Sequence, residues 1–453
     1  MGDIQLLEKG ITEKLALFVE EFSHRKLSSG ELRQVKKVII DYYCAAITGS
    51  MSETSQKVLN YLLENEGKGQ INVIGSPYLL SKTNAAFING TSAHALDFDD
   101  GHTYGSTHPG AAVLPAVFAV SEAIKAEPMR TIKAIVVGYE IALRLAAAIH
   151  PVSRKKGFHN TPITGIFGAA AAVSFLYCSN IHQIRNAFGI AGSFCGGIFA
   201  FLGSGSEVKR IHPGQAAQDG IRAAELALAG LTGPATILEK ENGFFMAFAD
   251  NQINPEALQK ESDMPLEIMN IYFKPYPCCR HLHVAIDCIF KIKEREIIDL
   301  SAVQNIRVGV NQIAALHNHT HCINLLDAQM SLPYSIAVAL LNDTLQVDSF
   351  KPESVEPQVW EICDKIEIYI DEEADKDYPK KRAAKVEIVM DDGRTIKAAL
   401  DNPSGEPSTP LSDRQIEAKF LHNCEPILGS EKTEKFLESM QTFINDMDFL
   451  YDI

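Results

Sequence analysis

Apolar residues recur at three- and four-residue intervals through most of the first ~265 residues, which is the period of an amphipathic helix. Ile11–Phe22 and Leu32–Ile47 carry this pattern on either side of Ser28-Ser29-Gly30, a break and capping region. Ala111–Ala123, Thr131–Ile149 and Thr164–Cys178 repeat it in Ala, Val and Ile, with small residues between them. Small side chains let neighbouring helix axes approach closely. The pattern predicts a compact helical bundle with its polar loops gathered at one end.

The periodicity changes after about Met264. Asn305–Val310 and Lys365–Ile370 alternate as strands do, and Ala384–Met390 and Arg394–Leu400 alternate around Asp391-Asp392-Gly393, a hairpin signal. Met330–Asn342, after Asp327-Ala328, reads as a helix between them. Asn402–Ser408 is rich in turn formers and reads as a boundary. Helical spacing returns in Ile416–Phe420 and Phe436–Met447. At 453 residues the chain exceeds the ~250–300 that one core supports, so two domains are expected. The expected fold is mainly α: a large all-helical domain built from both chain ends, with an inserted smaller α+β lid domain. The expected bounds are 1–266 and 405–453 for the helical domain and 267–404 for the insertion.

A net charge of −15 argues against a nucleic-acid partner but not against an anionic small molecule, since an acidic protein can hold a basic pocket. Met1–Gly10 lacks the apolar run of a signal peptide, and no apolar stretch reaches the ~18 residues of a membrane span. The nine cysteines form no CxxC pair and read as reduced thiols, which points to the cytoplasm.

Chemistry concentrates in four segments. His94-Ala95-Leu96-Asp97-Phe98-Asp99-Asp100 runs directly into Gly101-His102 and on to Thr107-His108-Pro109, a polar stretch between two apolar helical runs. Unpaired carboxylates and imidazoles are costly to bury, so a loop is expected there rather than core. An aspartate orienting a proton-transferring histidine, helix capping, and a mononuclear metal are the three readings of it. Gly157-Phe158-His159 follows Arg154-Lys155-Lys156 and precedes a helix expected near Thr164, whose free N–H groups suit a carboxylate. Gly203-Ser204-Gly205-Ser206-Glu207 leads to Lys209, Arg210 and His212, with Pro213-Gly214 expected to turn into a further helix. Lys274-Pro275-Tyr276-Pro277 presents a lysine rigidly beside Arg280, His281 and His283. Cys278 and Cys279 read as packing thiols, and His317-Asn318-His319-Thr320-His321 as a polar, mobile loop rather than a metal tract. No metal ligand set is assigned.

The stretches HALDFDD…THPGAAVLP, GFHNT, EVKRIHPGQAA, KPYPCCRH and DAQMSLPYSIAVALL resemble the MmgE/PrpD family over essentially the whole chain. That family includes 2-methylcitrate dehydratases, cis-aconitate decarboxylases and iminodisuccinate epimerases. The resemblance implies a homodimer with no metal and no cofactor, acting on a small polycarboxylate. It places catalytic roles on Asp97, His108, His159, Lys209 and Tyr334, with His108 oriented by Asp97. Substrate contacts fall to Lys274, Arg280, His281, His212 and His102. Gly101 stands where the decarboxylases carry threonine, and Cys279 stands where they carry histidine. The dehydratase patterns D-x-N-D and GHPSDN differ further from DFDD and THPGAA. The resemblance therefore implies a metal-independent lyase converting cis-aconitate to itaconate and CO2. The other readings are an imino-dicarboxylate epimerase, a 2-methylcitrate dehydratase and a catalytically silent binding protein.

Overall fold

The computed structural model describes residues 10–201, 206–259, 264–378 and 380–453; Met1–Lys9 and the loop glycines and serine at 203, 204 and 205 lie outside them. The chain forms two compact units, one from residues 1–95, 99–271 and 412–453, the other from 96–98 and 272–411. Helix dominates, as the hydrophobic pattern predicts. Helices of ten residues or more up to Leu341 and strands of five or more are numbered below; two further helices, Asp413–Leu428 and Ser430–Ser439, follow them.

In the larger unit, α1 (Ile11–Glu21) and α2 (Ser29–Ser50) bracket the expected break. Ser28 caps α2 with a reciprocal pair: its hydroxyl accepts from Glu31 N–H at 3.2 Å, and its own N–H donates to the Glu31 carboxylate at 2.7 Å. There follow α3 (Glu53–Asn65), α4 (Lys82–His94), α5 (Pro109–Ile124) and α6 (Pro128–Ile149). Then come α7 (Asn160–Leu176), α8 (Ile181–Phe194) and α9 (Val208–Leu228). Proline opens both α5 and α6, where its fixed φ suits a helix and its missing N–H costs nothing. Every residue of α7 is buried, the mark of a helix apolar all round and enclosed by its neighbours.

Small residues set the spacing around α7. A Cβ on Gly168 would lie 2.6 Å from the carbonyl oxygen of Gly138 on α6, and one on Gly90 of α4 would lie 2.7 Å from Cα of Gly214 on α9. The two helix pairs therefore touch backbone to backbone. Residues 412–453 close this unit against α2: Lys419 Nζ lies 2.7 Å from the Asp41 carboxylate, and Tyr43 donates its hydroxyl to the Leu450 carbonyl at 3.0 Å.

Three expected boundaries shift. α7 begins at Asn160, not Thr164, with His159 as its N-terminal flanking residue. α9 begins at Val208, so Lys209, Arg210 and His212 are helical and Pro213-Gly214 lies inside the helix instead of turning into it. Pro213 removes a single N–H, and Gly214 supplies the close approach to α4. The last apolar run does not reach Met447 as one helix: Ser430–Ser439 is helical and the chain then breaks.

The smaller unit carries α10 (His283–Lys293), β1 (Val303–Val310), α11 (Leu332–Leu341), β2 (Ile366–Ile370), β3 (Ala384–Met390) and β4 (Thr395–Leu400). The sheet order is β2-β1-β3-β4. β1 pairs parallel with β2 (Ile306 opposite Ile366) and antiparallel with β3, while β3 and β4 form the expected hairpin (Ala384 opposite Leu400). Gly393 in its turn has φ +85°, a conformation that glycine adopts without strain. Val386, Ile388 and Met390 alternate inward and join the apolar cluster of this unit.

Candidate active site

The segment after α4 does not behave as an exposed polar loop. His94, Asp99, Asp100 and His102 are all buried, as is Asp97. The expectation fails because each acidic side chain is buried together with hydrogen-bonding partners, which offset part of the cost of desolvation. Asp99 Oδ2 lies 2.8 Å from His94 Nδ1 and 3.4 Å from His108 Nδ1. Asp100 accepts the Tyr139 hydroxyl at 2.7 Å and the Gly110 N–H at 3.0 Å. Burial, then the nearby Asp41 charge, push the Asp100 carboxyl up to about 8.

His108 stands immediately before α5. Its Nδ1–H donates to the Asp100 carbonyl at 2.7 Å and its backbone N–H donates to Thr161 Oγ1 at 3.1 Å. The carboxylate beside it is thus Asp99, which corrects the pairing of His108 with Asp97. Asp97 instead sits at φ +53° and takes Lys274 as its partner.

His159 is fixed at the start of α7 by donating its N–H to the Gly197 carbonyl at 3.1 Å. Its Nδ1 lies 3.0 Å from His212 Nδ1 on α9, and its ring lies 6.0 Å from that of His94, which in turn lies 5.0 Å from His108. His108, His94, His159 and His212 therefore form one continuous row of imidazoles. Phe199 and Phe201 cover His159 edge-on. Burial pulls its pKa well below the usual imidazole range, and His94, His212, Lys209 and His108 pull it further. Burial, His94 and Lys209 bring His212 down to about 4. A cleft lined by Pro162, Phe194, Gly197, Gln215 and Asp219 reaches His212.

The sequence reading passed over His94 and gave Asp99 no distinct role. The signal for both was their place in the acid-rich segment that closes α4. His94, Asp99 and His108 also place one ligand atom each within 4.8 Å of one another, a donor set that a divalent cation could use through two imidazoles and a carboxylate.

His102 lies elsewhere in the same unit. Its Nδ1 accepts the Gly105 N–H at 3.2 Å and its Nε2 faces Glu267 at 3.5 Å, so it braces its own loop where a substrate contact was expected.

In the smaller unit Lys274 is only 1% exposed; its ammonium lies 2.9 Å from the Asp97 carbonyl and 3.2 Å from the carboxylate. Arg280 donates Nε and Nη2 to Glu406, at 3.2 and 3.0 Å, and Nη1 to the Ser404 carbonyl at 2.9 Å. That guanidinium is an internal strut, which corrects its reading as a free substrate cation. Tyr334 donates its hydroxyl to the Ser349 carbonyl at 3.1 Å and packs on Phe350 and Trp360, so its proton is committed within the core of this unit. His281 stacks on His317 with ring centres 6.1 Å apart, and its Nδ1 is buried with no hydrogen-bond partner among the described residues. The 317–321 stretch is tied down, not mobile: His317 Nδ1 donates to the Met330 carbonyl at 2.8 Å and Ser331 Oγ to the His319 carbonyl at 2.6 Å.

The family model of the MmgE/PrpD N-terminal domain matches residues 13–256, and that of the MmgE/PrpD C-terminal domain matches residues 276–443. The chain belongs to the MmgE/PrpD family. It is 27% identical to a cis-aconitate decarboxylase of Aspergillus terreus, covering 98% of this chain and 95% of that protein. Proteins of the same name from Mus musculus and Homo sapiens are each 27% identical, covering 99% and 96% of this chain and 92% of each relative. Among the described residues no helix is long and apolar enough to cross a membrane.

Proposed function

We propose that the chain is a cofactor-independent carbon–carbon lyase that decarboxylates a small tricarboxylate, cis-aconitate to itaconate. The observation that carries this reading is the row His108–His94–His159–His212, buried at His94 and His159 and half-buried at its two ends, backed by Asp99 and overlooked by Lys209. In the resting protein the His159–His212 pair is held uncharged, so an incoming polyanion raises its affinity for a further proton. Lys209 supplies a charge-assisted hydrogen bond to one carboxylate. The imidazolium at His159 or His108 then delivers its proton to the alkene CH. The electron pair of the breaking C–CO2 bond becomes the new C=C, the old π pair takes the proton, and CO2 leaves. General acid catalysis of this kind contributes about 10²–10⁴-fold.

The test is NMR of the purified full-length protein with cis-aconitate in D2O. Itaconate bearing one deuterium on its saturated CH2, with CO2 release, is the expected product. C–H exchange without CO2 loss on iminodisuccinate would instead identify an epimerase, and tight binding of tricarboxylates without turnover a binding protein. The proposal includes a cytoplasmic homodimer on the ground of family membership, and light scattering of the purified protein tests the dimer.

A further inference from the structure

In the smaller unit, Cys279 Sγ lies 3.9 Å from His317 Nε2, within the longer reach of a sulfur contact. His317 donates Nδ1–H to the Met330 carbonyl at 2.8 Å, which fixes the ring and leaves Nε2 facing the sulfur. The Cys279 N–H is anchored on the Gln329 carbonyl at 2.9 Å, and the backbone N–H of His281 bonds to the sulfur. A nucleophile, a base and a group that orients the base therefore stand in sequence, the arrangement used by activated thiols. Cys279 keeps 9% of its surface open.

Other thiols behave differently. Burial is the chief cause that pushes Cys195, Cys278 and Cys363 up, whereas at Cys279 the upward push of burial is outweighed by His317 and the net shift is down. Burial pulls His317 down, but the neighbouring sulfur outweighs it and lifts the imidazole to about 9. The charged groups acting here are Lys274 with Asp97, and Arg280 and Arg382 with Glu406, beside the buried imidazoles of His281 and His283 and the thiol of Cys278. With Cys279 and His317 as an ion pair, one cation is in excess.

We propose that Cys279 and His317 form a nucleophile–base pair that captures small anionic electrophiles whose C=C is conjugated to a carboxylate. The sulfur adds to the β-carbon, forming the S–C bond. The π pair moves to the α-carbon, which takes the Nε2 proton of His317, and nothing leaves. The pair acts independently of the proposed decarboxylation.

The experiment labels the folded, full-length protein with iodoacetate and with iodoacetamide across pH 5–10, with peptide mass mapping. Exposed Cys178 serves as the internal reference. Cys279 is expected to label with a midpoint below the ordinary thiol value of about 8.5. Its iodoacetate-to-iodoacetamide rate ratio is expected to exceed that of Cys178. His317→Gln should slow Cys279 at pH 7 by about tenfold or more, through the lost thiolate fraction, while buried Cys288 and Cys363 of the same unit stay unlabelled and so report an intact fold. Fumarate, neither substrate nor product of the decarboxylation, should then leave an S-succinyl adduct at Cys279. An unlabelled Cys279, a midpoint at or above that of Cys178, or a rate indifferent to His317→Gln would overturn the pair. Carboxymethylation without any fumarate adduct would overturn the addition step.

Discussion

The Nδ1 atoms of His159 and His212 stand 3.0 Å apart, so one of the two Nδ1 atoms carries a hydrogen and the other accepts it. If both carried Nδ1–H, two donors would collide; if neither did, two lone pairs would. The pair accordingly titrates as a unit. With His159 well below 6.5 and His212 at about 4, both rings are neutral at pH 7. Binding of tricarballylate, a saturated tricarboxylate that cannot lose CO2 by the allylic route, is expected to draw one proton from solution at pH 7. Calorimetry in phosphate and in Tris reads that uptake as a difference in apparent heat. Equal heats in the two buffers would sink the linkage, and His212→Gln should reduce the uptake.

Asp99 touches two imidazoles, at 2.8 and 3.4 Å, and removing its charge loosens both. Misplacing a proton donor by about 1 Å costs roughly 10²-fold, so Asp99→Asn is expected to lower kcat by about that factor with a smaller change in KM. His159→Gln should lose about 10²–10⁴-fold, the whole acid contribution. Steady-state kinetics on the two variants check the order; an Asp99→Asn enzyme at full kcat would remove the carboxylate from the mechanism.

Much of this architecture was legible in the residues themselves. The Ser28/Glu31 cap, the Asp391–Gly393 turn and the small-residue helices follow from local rules that tertiary packing did not override. The site was legible only as a segment. Asp97, Asp99 and Asp100 share one acidic run yet take three different sets of partners: Lys274, the histidines 94 and 108, and Tyr139 with Gly110. A left-handed residue at Asp97 decides which carboxylate goes where, and no spacing rule announces it. The position of Pro213 misled for a related reason: one missing N–H is tolerated inside a long helix when packing against α4 compensates.

The Lys274–Asp97 pair is buried on both sides, and its stability role is separable from chemistry. Asp97→Asn would leave a buried ammonium without its counter-charge, which typically costs about 3–5 kcal/mol. Lys274→Met should cost a comparable amount by removing the buried carboxylate's ammonium partner. The double variant is expected to lose much less than the sum of the two. Urea denaturation of the four proteins closes the cycle, and simple additivity would show that the two groups do not depend on each other.

Asp100 gives stability a slope with pH of known sign. Its carboxyl has an ordinary value of 3.8 and is pushed up to about 8 when folded, chiefly by burial. Below 3.8 both folded and unfolded chains hold the proton and its contribution is complete. Between 3.8 and about 8 the unfolded chain releases the proton while the folded chain keeps it, so stability falls as pH rises. The steepest possible loss is about 1.4 kcal/mol per pH unit, and it levels off above the folded value. His159 contributes the opposite slope, because its lowered folded pKa costs stability as pH falls below 6.5. The measurement is therefore the difference between wild type and Asp100→Asn, in which the histidine contribution cancels and the amide does not titrate. Urea midpoints at pH 5, 7 and 9 should show the wild type losing ground to the variant from 5 to 7, and little further change once both wild-type states are ionised. Parallel curves across that range would mean the buried carboxyl is ionised throughout, held by Tyr139 and Gly110 alone.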